Sequence, residues 1–314
     1  MTDARPRYRT VVFDSSRWEG FPFRSGDIVI STPPKCGTTW MQMICALLIF
    51  QDPILDRPLT EVSPWLDMCI QSRDDVFSVF DAQRHRRFIK THTPLDGLPL
   101  DDRVTYLCVG RDPRDVAISI YHHFANMNAD VFFAARAKAI GMDDIEELNA
   151  LNPLGAPGTL EESFWRWIDS PTPPVHATSS LLSTLHHYDQ ALKACGRDNI
   201  VVFHYGDLKT DLEGEMRRLA DRLGIVVADS DWPRLVEAAT FDRMRSRASD
   251  LAPETTQGLW KENQKFFHSG KGGIWRELFD DGAQLRYDAR VAELAHPDVA
   301  AWAHNGWRGI QTAD

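Results

Sequence analysis

Lys35 stands in a stretch suited to hold an anion. The run Ile28-Val29-Ile30-Ser31-Thr32-Pro33-Pro34-Lys35-Cys36-Gly37-Thr38-Thr39-Trp40 joins a β-branched strand to a Pro/Gly turn, and an apolar helix (Met41, Ile44, Cys45, Leu47, Leu48) follows at once. Backbone N–H groups gathered at a helix start, together with the positive end of the helix dipole, favour phosphate-like groups. Lys35 adds a mobile positive charge, and Thr38 and Thr39 add hydroxyl donors. The order is not that of a nucleotide-triphosphate loop, whose lysine follows its second glycine; here Lys35 precedes Gly37. The same stretch also reads as a purely structural strand-turn-helix.

Two further constellations carry charge. In Lys90-Thr91-His92-Thr93-Pro94, residues two apart in an extended chain share a side, so Lys90 and His92 project together from a strand end. Neighbouring cations push a histidine toward the neutral form that a general base needs. In Gly110-Arg111-Asp112-Pro113-Arg114-Asp115, Arg111 sits just before a helix start. It either grips a phosphate through two N–H groups or pairs with Asp112 or Asp115.

These three segments, in this order, resemble the soluble sulfotransferases. Pro-Lys-x-Gly-Thr-Thr-Trp is similar to that family's 5′-phosphosulfate loop, with Cys36 where serine is usual. The resemblance implies that Lys35, Cys36, Gly37, Thr38, Thr39 and Trp40 hold the 5′ end of 3′-phosphoadenosine 5′-phosphosulfate, the sulfuryl donor. The Lys-Thr-His segment then makes His92 the base that takes the acceptor's proton and Lys90 an electrostatic stabiliser, while Lys35 meets the leaving phosphate. Arg111-Asp112-Pro113-x-Asp115-x-x-x-Ser119 resembles the 3′-phosphate motif and maps those contacts onto Arg111 and Ser119. Tyr205, in Phe203-His204-Tyr205-Gly206, and Phe241, in Ala239-Thr240-Phe241-Asp242, resemble the adenine-contacting segments, with Trp40 and Phe241 facing the two sides of the base. Each aromatic also reads as an ordinary core residue. The family's last motif, Arg-Lys-Gly-x-x-Gly-x-Trp, is matched by His268-Ser269-Gly270-Lys271-Gly272-Gly273-Ile274-Trp275. Gly270, Gly273 and Trp275 fit, but His268 and Ser269 stand in place of two cations, and Lys271 follows one position past the glycine.

The elements that must position these residues alternate. Short strands are expected at 28–30, 87–90, 105–109 and 200–203. Helices are expected after Gly37, after Asp112 (a good N-cap, with Pro113 at the first helical position), through Leu181, Leu185, Tyr188 and Leu192, and through Leu208, Leu212, Leu219 and Leu223. Strand-helix alternation predicts an α/β fold, a parallel sheet covered on both faces with sites at the strand C-termini; the resemblance makes it P-loop-kinase-like. Residues 1–314 are expected to form one sulfotransferase domain, with 125–175 as a helical and loop insertion. That insertion, with Phe21, Phe23 and the 65–80 stretch, is expected to build the acceptor pocket. Asp115 is expected to brace arginines or to charge a helix start, and Asp143–Glu147 to be a solvated helix start.

Composition bounds the rest. The chain has 314 residues, 43% hydrophobic and 25% charged, with a net charge of −10. Such acidity argues against a nucleic-acid partner. No apolar run approaches the roughly 20 residues of a membrane span, and the N-terminus is polar without a signal-peptide core. Five dispersed cysteines with no CxxC pair speak for a reducing, cytoplasmic setting. Cys36 reads either as a reactive thiol at a helix N-terminus or as a small turn filler. His122-His123 and His186-His187 fall on predicted helices, where neighbours face apart, so no metal is expected. The expectation is an enzyme: a sulfotransferase of bacterial type, including an actinobacterial glycolipid branch. It would act on the hydroxyl of an apolar small-molecule or lipid acceptor such as a glycolipid, phenol or sterol-like alcohol. Two rivals are a small-molecule kinase and a non-catalytic nucleotide or lipid binder; the oligomeric expectation extends no further than a homodimer.

Overall fold

The computed structural model describes residues 5–155, 158–251, 258–267, 270, 272–277 and 280–311. Its centre is a four-stranded sheet in the order β2-β1-β3-β4, where β1 is Ile28–Ser31, β2 Phe88–Thr91, β3 Thr105–Gly110 and β4 Ile200–His204. Every pairing is parallel, with Ile28 level with Phe88 and Thr105, and Val109 level with Phe203. The strands are buried on both sides, which is why they read as nearly continuous apolar runs.

Side-chain alternation divides the core in two. Ile28, Ile30, Phe88, Leu107, Val109, Val201 and Phe203 face one layer, which includes α1 (Thr38–Phe50). Helix α1 is apolar almost all round, and Met41, Met43, Ile44, Leu47 and Leu48 are all buried, as expected of a helix inside a layer. Val29, Ile89, Tyr106, Cys108, Ile200 and Val202 face the other layer, made by the helices Pro113–Asn126 and Leu181–Ala194 and by the helical stretch Pro297–Gln311, which is broken at Gly306.

Two local expectations change. The leucine series from 208 to 223 belongs to two helices, Tyr205–Thr210 and Leu212–Leu223. The break falls at Asp211, whose carboxylate caps the second helix by accepting the Gly214 N–H at 2.9 Å. The acidic run is not merely solvated: Asp144 binds Arg9 and the buried Arg136, both at 2.7 Å. That clamp ties the N-terminal segment to the helix Ala129–Ile140.

Candidate active site

Each strand hands one functional group past its C-terminal end, where parallel α/β sheets place their ligands. After β1, Lys35 (φ 67°) and Gly37 (φ 96°) both take left-handed backbone. A side chain at Gly37, the N-cap of α1, would come within 3.1 Å of the Tyr205 ring, so glycine is needed there. The Thr32 and Thr38 hydroxyls bond each other across the turn. Cys36 points into the core, its Sγ 3.2 Å from the Tyr188 hydroxyl, and burial pushes its thiol up to about 12. It is the turn filler, and the reactive-thiol alternative falls.

After β2, the His92 Nδ1 lies 2.6 Å from the Thr32 carbonyl. A carbonyl only accepts, so Nδ1 carries the proton and Nε2 keeps its lone pair. Burial, then the Lys90 charge, hold this imidazole well below its ordinary pKa and therefore neutral. The Trp65 indole meets the His92 ring edge-on at 4.5 Å, and the Lys90 ammonium lies 4.1 Å over the same indole.

After β3, the alternatives for Arg111 resolve. Asp112 caps the next helix through the Arg114 N–H and binds the Arg114 guanidinium at 2.9 and 2.7 Å. Asp115 stands in the first turn of that helix, the helix-start alternative, and also accepts the backbone N–H of Gly273 at 2.9 Å, so anchoring the C-terminal glycine loop. The Arg111 side chain is left with one bond to the Lys35 carbonyl (3.2 Å) and a stacking position 4.5 Å over Tyr205, while its buried Nε has no partner. Tyr205 itself follows β4, its ring 5.0 Å from that of Trp40.

Lys35, Gly37, Thr38, Thr39, Trp40, Lys90, His92, Arg111, Ser119, Tyr205, Phe241 and Gly270 line one cavity. Neither Lys35 nor Arg111 is in an ion pair among the described residues. Burial, then the charges of Arg111 and Lys90, pull the Lys35 ammonium down to about 7. So crowded a set of cations calls for an anion. Cys36 and Thr240 stay outside the cavity lining; the Thr240 hydroxyl is turned to the Glu237 carbonyl at 2.8 Å. His268, Ser269 and Lys271 lie outside the described residues.

A family model described as "Sulfotransferase domain" matches residues 25–297. The chain belongs to the sulfotransferase family. It is 42% identical over 322 aligned positions to "Glycolipid sulfotransferase" of Mycobacterium bovis (strain BCG / Pasteur 1173P2), covering 100% of this chain and 98% of the relative. The same figures hold for the protein of that name from Mycobacterium tuberculosis (strain ATCC 25177 / H37Ra). Among solved structures, retinol dehydratase in complex with retinol and PAP superposes with a TM-score of 0.67 at 20% identity, covering 89% of this chain and 84% of that one. A mouse sulfotransferase, SULT7A1, complexed with PAP gives 0.67 at 17%, covering 95% and 93%. These likenesses are to the fold.

The apolar wall of the sulfotransferase's cavity is built only in part as the sequence suggested: Trp65 and Met68 from the 65–80 stretch line it, but Phe21 and Phe23 do not. Phe21 and Phe23 pack with Trp18, Phe77 and Phe80 in the other core layer, as do Phe164, Trp165 and Trp167. Among the described residues of 125–175, Met127 and Phe132 line the cavity; Val12, Phe13, Leu259, Trp260, Phe266 and Phe267 are part of the apolar wall from outside that stretch. His123, set aside in the sequence, also faces the cavity, with Nδ1 3.4 Å from the Lys35 Nζ. Burial, then the Lys35 charge, hold it neutral, well below its usual range. The signal that could have found it is periodicity: Asp115, Ser119 and His123 stand four apart on one helix, hence on one face. Among the described residues no group of three or more His, Cys, Asp or Glu could hold a metal. Nor is any described helix long and apolar enough to cross a membrane.

Proposed function

We propose that this sulfotransferase moves the sulfuryl group of 3′-phosphoadenosine 5′-phosphosulfate to a hydroxyl of an apolar acceptor, a glycolipid foremost, with His92 as the base. One observation carries the reading: cations from three strand ends and a histidine of fixed tautomer share a single cavity. The donor fits the residues present. The orphaned Arg111 Nε and the cradle at Gly37 and Gly270, where a Cβ would strike Tyr205 or Phe241, are what a bound bisphosphate and its adenine would engage.

The donor supplies an activated sulfur–oxygen bond to phosphate. His92 Nε2 accepts the acceptor proton as the acceptor oxygen attacks sulfur from the side opposite that bond. Lys35, Lys90 and the N–H groups opening α1 meet the charge gathering on the departing phosphate oxygen, an electrostatic strategy that costs no reorganisation when the charge develops. Arrival of an anion also raises the basicity of His92, because the Lys90 and Lys35 charges that depress it are then neutralised. The apolar wall of Phe13, Met68, Phe132 and Trp260 suits a lipid-like body, and the two glycolipid sulfotransferases of like length favour that class.

The test is incubation with radiolabelled donor against mycobacterial lipid extract, alkyl glycosides, phenols and sterols. Labelled glycolipid is the expected product. Transfer only from ATP with magnesium would replace this reading with a kinase. Absence of calorimetric binding of adenosine 3′,5′-bisphosphate at sub-millimolar concentrations would replace it with a different ligand.

A further inference from the structure

Asp67 is a fully buried carboxylate that the mechanism above does not use. The segment before it lies along the edge of β2: the Lys90 N–H donates to the Pro64 carbonyl at 3.1 Å and the Leu66 N–H to the Lys90 carbonyl at 3.2 Å. This pairing brings the Asp67 side chain beside the strand end that carries Lys90 and His92. Four donors then converge on it. Oδ1 takes the Trp65 Nε1–H at 2.6 Å; Oδ2 takes Trp18 Nε1–H at 3.0 Å, the Thr93 hydroxyl at 2.7 Å and the Thr91 hydroxyl. Indole N–H groups only donate, so each carboxyl oxygen serves as an acceptor; burial raises the pKa of this group, and the four hydrogen bonds work against that rise by favouring the ionised form.

What it grips is telling. Thr91 and Thr93 flank His92 in the chain, so fixing both hydroxyls fixes the backbone that presents the imidazole. Trp65 is the indole that meets the His92 ring at 4.5 Å and carries the Lys90 ammonium 4.1 Å over its face. A carboxylate hydrogen-bonded to the indole N–H pushes electron density onto the ring, which strengthens its hold on a cation. Burying a carboxyl costs desolvation, offset here by the four hydrogen bonds it accepts.

We propose that Asp67 is a positioning residue for the transfer, setting His92 from both flanks and aiming Lys90 through Trp65. The inference rests on the proposed roles of His92 and Lys90. In Asp67→Asn the amide has one acceptor oxygen. Placing it toward the threonines leaves its NH2 against the Trp65 N–H, so the indole is released while much of the clamp persists.

Steady-state kinetics, calorimetric titration with adenosine 3′,5′-bisphosphate and thermal melting would be measured on wild type, D67N, W65F, D67N/W65F and H92A. The expected result is a kcat loss of about tenfold or more in D67N with nucleotide affinity within about twofold, since the base and not the donor site is disturbed. D67N/W65F should be no slower than D67N, because a phenyl ring has no N–H to strand; that non-additivity marks the shared path through Trp65. Wild-type kcat in D67N, a nucleotide affinity that falls in step with kcat, or additive losses would each overturn the proposal. Should D67N not fold, Thr93→Val takes its place: a kcat loss with nucleotide affinity kept supports the proposal, and unchanged kcat sinks it. The H92A control separates the two levels. If H92A is fully active, the underlying assignment of the base fails; if H92A is slow while D67N is not, only the role of Asp67 fails.

Discussion

At the scale of single residues, His92 and Arg111 share a cavity but answer to different forces. His92 is neutral, its Nδ1–H held by the Thr32 carbonyl, and it makes no other hydrogen bond among the described residues. Its loss should spare donor affinity. His92→Ala is expected to cut turnover by roughly 10²–10⁴, the usual yield of a general base, while calorimetry finds the affinity for adenosine 3′,5′-bisphosphate unchanged; equal turnover would remove it from the role. Arg111 is a cation with an unpartnered buried Nε, and both carboxylates that could have satisfied it are engaged elsewhere. Arg111→Ala should forfeit a charge-assisted contact of about 1.5–3 kcal/mol, read as roughly a 10- to 150-fold rise in the nucleotide dissociation constant. A defect confined to kcat would contradict the phosphate contact.

At the scale of elements, the parts most legible in the sequence are those whose chemistry is local. The four strands, the loop after β1, the Asp112 cap and the Lys90–His92 pair follow from apolar runs, turn residues and strand periodicity, and they stand where that reasoning put them within a residue or so. The cavity's apolar wall was legible only in part, through Trp65, Met68, Met127 and Phe132. It joins residues near 12, 65, 130 and 260, and no local pattern tells that Phe13 faces the cavity while Phe21 packs in the opposite layer. Asp115 was legible as a helix-start charge but not as a long-range anchor, because its partner, the Gly273 N–H, is 158 residues away. The glycine loop offers a sharp test of this long-range assembly. Gly270 has φ 60°, and a Cβ there would lie 2.6 Å from the Phe241 ring. Gly270→Ala must strain the backbone or displace the aromatic, each costing of order 1 kcal/mol or more. Nucleotide affinity should therefore fall about tenfold, with the melting temperature lowered by about 2–4 °C per kcal/mol of strain; an unaltered affinity would separate Phe241 from the donor site.

At the scale of the whole molecule, the cations and histidines gathered at the strand ends set how the fold responds to acid. His92 and His187 are buried and His123 is partly buried, and each is held below its ordinary pKa chiefly by desolvation; His187 is drawn to about 3. The unfolded chain takes up protons at these positions near pH 6.5, and the folded chain does not. Their neutral burial is thus fully compatible with folding above that pH, and stability drains away as pH falls below it, for His187 until about pH 3. Each such group contributes a slope of about 1.4 kcal/mol per pH unit across its window. Urea midpoints should accordingly drop steeply between pH 7 and 5, before most carboxylates begin to titrate. His187→Gln keeps an amide that can reach the Ser31 hydroxyl, 3.1 Å from Nε2 in the wild type, and has no proton to gain. It should remove about one such increment from the slope. Adenosine 3′,5′-bisphosphate, by neutralising Lys35 and Lys90, should lessen the acid sensitivity contributed by His92 and His123 while leaving that of His187 in place. A midpoint flat from pH 7 to 5 would mean that water reaches these rings, and that the low-dielectric cavity on which the proposed proton transfer depends is open.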